Sequence, residues 1–180
     1  MPYLIDEAGI GMEDSQVICA YLDSLDNKPR FHDPFRDSDW AYRRLEATGR
    51  GFCEGISVWI REMNRPGNER SPTLLAHEVA RAGRLADVFE TEVQRPLLQE
   101  QPRMAHLLLA VGLEVARARG PSDLTEGRPG LAAWLRSISE LPSLRVAVAF
   151  LDAIEGVSDM QRMTPLGQER DQQLVTSEKA

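Results

Sequence analysis

From Met104 to Ala118 the chain is apolar on nearly every helical face, broken by His106, Glu114 and, near its end, Arg117. A helix of that kind belongs at the centre of a domain, because no face of it suits water. The elements that could wrap it are visible on both sides. Ala41, Leu45, Thr48, Phe52, Ile56, Trp59 and Met63 step by three and four, which predicts a long amphipathic helix over about 38–64. Leu75, Val79, Ala82, Ala86, Phe89 and Val93 step the same way to about residue 95. A shorter helix carries Leu131, Trp134, Leu135 and Ile138, and a last one, opened by Pro142, carries Leu144, Val148, Leu151 and Ile154. Breaks rich in Pro, Gly and Asn separate these segments, so residues 39–153 are expected to form an all-helical bundle of five helices.

The first 26 residues have another character. The run "YLI" is strand-like and closes in the turn composition "DEAG". After it, "SQVICAYLDSL" places Val17, Ile18, Tyr21, Leu22 and Leu25 on one helical face, with Asp14 or Ser15 suited to cap it. Two short strands and one helix cannot close a core, so residues 1–26 either pack on the bundle or lack a partner. An incomplete sheet leaves a strand edge open, which predicts poor solubility or strong dimerisation. Residues 27–38, with two prolines and mixed charge, read as a linker, and 154–180 as a flexible tail.

Composition narrows the function classes. A net charge of -7 disfavours non-specific contact with nucleic acid or an anionic membrane face. The longest apolar run, "LLLAVGL", is far short of a membrane span, and the N-terminus lacks the basic start and apolar core of a signal peptide. Cys19 and Cys53 lie far apart in apolar helical stretches, which reads as two buried thiols in a reducing compartment. A cytoplasmic location is expected.

Motifs for metal, phosphate and nucleophilic chemistry are missing. "HEVAR" at 77–81 begins like a zinc-binding H-E-x-x-H, but Arg81 stands where the second ligand would be. His32, His77 and His106 share no spacing, so no metal site is expected. Trp40, Trp59 and Trp134 read as core or interface aromatics.

The order of elements carries more. Pro2 and Leu4 precede a hairpin, then comes Asp14-Ser15, then a helix with Ile18, Tyr21 and Leu22, then a linker and a helical bundle. This arrangement resembles the glutathione transferase superfamily, whose thioredoxin-like first domain ends in a V-P-x-L strand, a hairpin, an [ED]-S loop and an I-x-x-Y-L helix. Downstream, "EMNRP" at 62–66 is similar to the E-x-x-R-P of a bacterial branch, and "GRPGLAAWL" at 127–135 to its G-R-P-x-L-x-x-W helix. The fold class the resemblance implies is mainly α: a glutathione-transferase-like C-terminal bundle preceded by a partial thioredoxin-like piece. One departure stands out. The family opens its central helix with an S/T-x-x-D capping box, where this chain has Arg103 and His106. An arginine cannot accept an N–H bond, and a lost cap costs about 1 kcal/mol.

The resemblance implies a glutathione-binding role for Met1, Pro2, Asp14 and Ser15. In the family a cis-proline exposes the preceding backbone to the cysteinyl part of glutathione, which here concerns Met1 and Pro2. Ser15 would donate to the γ-glutamyl carboxylate at a helix N-terminus, where free N–H groups favour an anion. Asp14 would meet the ammonium group. Asp or Ser ahead of an apolar helix is also an ordinary N-cap, and both readings stay open. The family's thiol-activating residue sits after its first strand, so it would lie upstream of Met1. The function implied is conjugation of glutathione, as co-substrate, to an electrophilic small molecule by a homodimer. The alternative is a non-catalytic binding or dimerisation module.

Overall fold

The computed structural model describes residues 2–32, 39–120 and 122–149. They fall in two units, Met1–Glu140 and Leu141–Ala180. In the second, residues 142–149 are helical, as the Pro142 start predicts. Leu151, Ile154 and the tail expected at 154–180 lie outside the described residues.

In the first unit the chain opens with a hairpin. Strand β1 (Leu4–Ile5) pairs antiparallel with β2 (Gly11–Met12), Leu4 facing Met12. The turn is built on the Asp6 carboxylate, which accepts the amides of Ala8 and Ile10 at 3.0 and 2.7 Å. Gly9, at φ +83°, supplies the left-handed residue this turn needs. Helix α1 (Ser15–Ser24) follows, and Asp14 is its N-cap. One expectation fails here. Of the five residues placed on one apolar face, Ile18 is buried, while Val17, Leu22 and Leu25 are 51%, 50% and 59% exposed. Two-residue strands are too short to cover the rest of that face. Asp23 then gathers the amides of Arg30, Phe31 and His32 at 3.0, 2.9 and 2.8 Å, folding the start of the linker back on α1.

Four helices form the bundle: α2 (Trp40–Met63), α3 (Pro72–Glu92), α4 (Met104–Arg119) and α5 (Pro129–Ile138). As its sequence demands, α4 is central; α2 packs along it, α3 lies against α2, and α5 touches α3 and α4. Even His106 and Glu114, two of the breaks in its pattern, are buried, while Arg117 near its end is exposed. The stripes of α2 and α3 are legible but incomplete. Leu45, Phe52, Ile56 and Trp59 are buried as expected, whereas Ala41 is exposed and the neighbouring Tyr42 takes its place in the core. Val79 is 40% exposed, and the buried position beside it is Glu78. Trp40 is 78% exposed and is not a core aromatic. The packing of α2 on α4 needs a glycine at 112: a Cβ there would lie 2.7 Å from the Phe52 ring.

The motifs that carried the resemblance turn out to be staples. Glu62 of "EMNRP" accepts the Ser71 amide at the start of α3 and pairs with Arg65. Arg128 of "GRPGLAAWL" pairs with Asp87 at 2.7 Å and also donates to the Gly83 carbonyl. Glu90 of α3 caps α5 from outside, accepting the amides of Gly130 and Leu131 at 3.0 and 2.6 Å. Such caps satisfy donors that a helix start leaves bare. The uncapped start expected for α4 is partly corrected as well. His106 Nδ1 accepts the Arg103 backbone N–H at 3.2 Å, forming half of a capping box, while the Arg103 guanidinium lies over the Tyr42 ring.

Candidate functional site

A cavity of about 340 Å³ opens where α1 meets α2 and α4. Its first wall is the start of α1: Asp14, Ser15 and Cys19 line it. Facing them is a single face of α2, on which Arg50, Cys53, Glu54, Ser57 and Arg61 recur at spacings of three and four. Met104 and Leu108 of α4 supply an apolar wall.

The cap on α1 leaves a specific set of groups open. One oxygen of Asp14, Oδ1, accepts the Gln16 and Val17 amides at 2.7 and 3.3 Å. The Ile18 amide goes to the Asp14 carbonyl. Among the described residues, Oδ2 of Asp14 and the hydroxyl and amide of Ser15 have no partner. An acceptor oxygen and two donors therefore stand side by side at the positive end of a helix, which suits a zwitterionic amino-acid end. Asp14 is the cap, and among the described residues the Ser15 side chain makes no bond. Of the other expected site residues, Pro2 is exposed and does not line this cavity, and Met1 lies outside the described residues.

The thiols correct an expectation. Cys19 is exposed, and only Cys53 is partly enclosed. Burial pushes the Cys53 thiol up to about 11, and it donates to the Leu108 carbonyl at 3.0 Å. Such a thiol is a poor nucleophile at neutral pH. Cys19 escapes burial because its side of α1 faces the cavity rather than the core.

By resemblance the second-substrate pocket draws on the first long helix around Trp40 to Phe52. Sequence reasoning did not single out Arg50, Glu54, Ser57 and Arg61, since only the apolar stripe announces what a helix packs against. Their spacing was the available signal. Arg50 is held by Glu46 at 2.8 Å. Arg61 donates through Nε to the Ser57 carbonyl at 3.2 Å and has no carboxylate partner among the described residues. No group of three or more His, Cys, Asp or Glu side chains among the described residues is placed to hold a metal ion. No helix there is long and apolar enough to cross a membrane.

No family model and no curated protein matches the chain. Solved structures do. The chain is similar to a glutathione transferase family member from Pseudomonas fluorescens Pf-5 with bound S-(propanoic acid)-glutathione, at 26% identity and a TM-score of 0.71, covering 81% of this chain and 75% of that one. A structure described in the same words, with bound glutathione, gives 25% identity and 0.70, covering 81% and 72%. A glutathione S-transferase from Methylobacillus flagellatus KT, with glutathione bound, shares the fold at 20% identity and 0.69, covering 81% and 73%. Element order, the hairpin-helix-bundle fold and these likenesses agree: the chain belongs to the glutathione transferase superfamily.

Proposed function

We propose that the cavity binds glutathione by its γ-glutamyl end and presents the sulfur to an electrophilic small molecule. The observation that carries this reading is the unpaired Ser15 hydroxyl and amide beside the open Asp14 oxygen at the start of α1. The Ser15 donors take the γ-glutamyl carboxylate, and Asp14 Oδ2 takes the ammonium. Met104 and Leu108 offer an apolar surface for the acceptor. The glutathione and glutathione thioether bound by the Pseudomonas relatives support the same ligand.

Conjugation needs a group that activates the thiol. Cys53, with its thiol held high and bonded to Leu108, is unsuited to that task. On this reading the cavity binds and orients glutathione. The apolar side chains that α1 leaves exposed favour a second role, docking on a second copy of the chain.

Calorimetric titration with three peptides tests the binding claim. Glutathione and γ-glutamylcysteine should bind, whereas cysteinylglycine, which lacks the γ-glutamyl end, should not. Equal binding of cysteinylglycine, or no binding by any of them, contradicts it.

A further inference from the structure

We propose that the acceptor taken by this cavity carries a carboxylate, and that Arg61 reads it. The inference rests on the glutathione reading above and deepens it by naming the substrate class.

Two arginines line the cavity, and their electrostatic states differ. Arg50 is neutralised by Glu46 at 2.8 Å. Arg61 has no carboxylate partner among the described residues. Its Nε is anchored on the Ser57 carbonyl at 3.2 Å, which fixes the plane of the guanidinium and leaves both terminal nitrogens open. A guanidinium so held presents the two-pronged donor that matches a carboxylate. Glu54, on the same face, is seven residues back, about 10 Å along the helix axis, and among the described residues forms no ion pair with Arg61. Val58 lines the cavity one turn before Arg61, and Met104 and Leu108 line it farther back, Leu108 level with Gly49 and Cys53. An acceptor whose apolar body lies on that wall and whose carboxylate extends to Arg61 fits this arrangement. A neutral acceptor leaves the cation without use.

A basic residue in the last turn also suits the helix dipole, so a role in stability alone must be separable from recognition. Two thioethers of glutathione make the separation: S-carboxymethylglutathione and its neutral isostere S-carbamoylmethylglutathione, titrated into the chain by calorimetry. The acid should bind about tenfold more tightly than the amide, a ratio that charge-assisted bonds to a partly exposed guanidinium supply. In Arg61→Gln that ratio should fall to about one, and glutathione itself should lose less affinity than the acid does. Equal binding of the two thioethers by the parent chain overturns the inference, and so does a preference that survives in Arg61→Gln. If Arg61→Gln weakens glutathione as much as the acid, the residue reads the tripeptide's own carboxylate and the inference fails. Failure of all three compounds to bind overturns the glutathione reading and this inference with it; glutathione binding without a preference overturns the inference alone.

Discussion

His106 turns back one helical turn to accept the backbone N–H of Arg103 at 3.2 Å, and it can do so only while Nδ1 carries no proton. Burial lowers its pKa from 6.5 to about 4, against a weaker upward pull from Glu100. In the unfolded chain it titrates at the ordinary value, so between these limits the unfolded state holds the extra proton. The contribution to stability is therefore complete above about pH 6.5 and is lost as pH falls toward 4. At its full extent it is worth about 3 kcal/mol. Urea denaturation across pH 4–7.5 should show this loss, and His106→Asn, which keeps an acceptor and does not titrate, should flatten it. Asp23 acts in a lower window: burial works to raise its pKa, but three backbone donors and His32 hold it below the usual value, so its share is lost only below about pH 4.

Gly112→Ala sets helix propensity against packing. The propensity gain is about 1 kcal/mol. The new Cβ would lie 2.7 Å from the Phe52 ring, inside contact distance, and Phe52 is itself wedged edge-on against Phe89. Overpacking of that kind costs about 1–3 kcal/mol and should win. A lower melting temperature is the expected result.

Glu90→Ala should cost about 1–2 kcal/mol, because it strips the cap from Gly130 and Leu131 at the start of α5. Glu90→Gln keeps an acceptor and should recover part of the loss. Chemical denaturation of both variants checks the order.

The two thiols should differ sharply in rate. Cys19 is exposed, while Cys53 is held near 11 with its proton on the Leu108 carbonyl. At pH 8 only about one Cys53 in a thousand is a thiolate. Titration of the native chain with a chromogenic disulfide should give one fast equivalent, mapped to Cys19, and a second released on unfolding.

The bundle was legible because its signal is periodic. Phe52, Ile56, Trp59, Ala82, Ala86 and Phe89 are core residues that spacing alone found. What spacing hid was of two kinds. Glu62, Glu78, Glu92 and Glu114 occupy buried positions as charges held by arginines, and a search for apolar residues steps over them. Val17, Leu22 and Leu25 look like core by composition, and what the hairpin is too short to cover is a tertiary fact. The site divides in the same way. Asp14 and Ser15 stood out because they start a helix and fit the family order, whereas Arg61 belongs to a face that only the fold turns toward α1.

The measurement that tests the central claim most directly is glutathione binding to Ser15→Ala, with Asp14→Ala beside it. Ser15 makes no bond within the described fold, so Ser15→Ala should melt within a degree or two of the parent chain. It should nonetheless lose about tenfold or more in glutathione affinity, the effect of removing a donor to a carboxylate. Asp14→Ala should lose binding and also about 1 kcal/mol of stability with the cap. Glutathione affinity unchanged in Ser15→Ala would contradict the account, because the γ-glutamyl carboxylate would then not be held by the Ser15 hydroxyl.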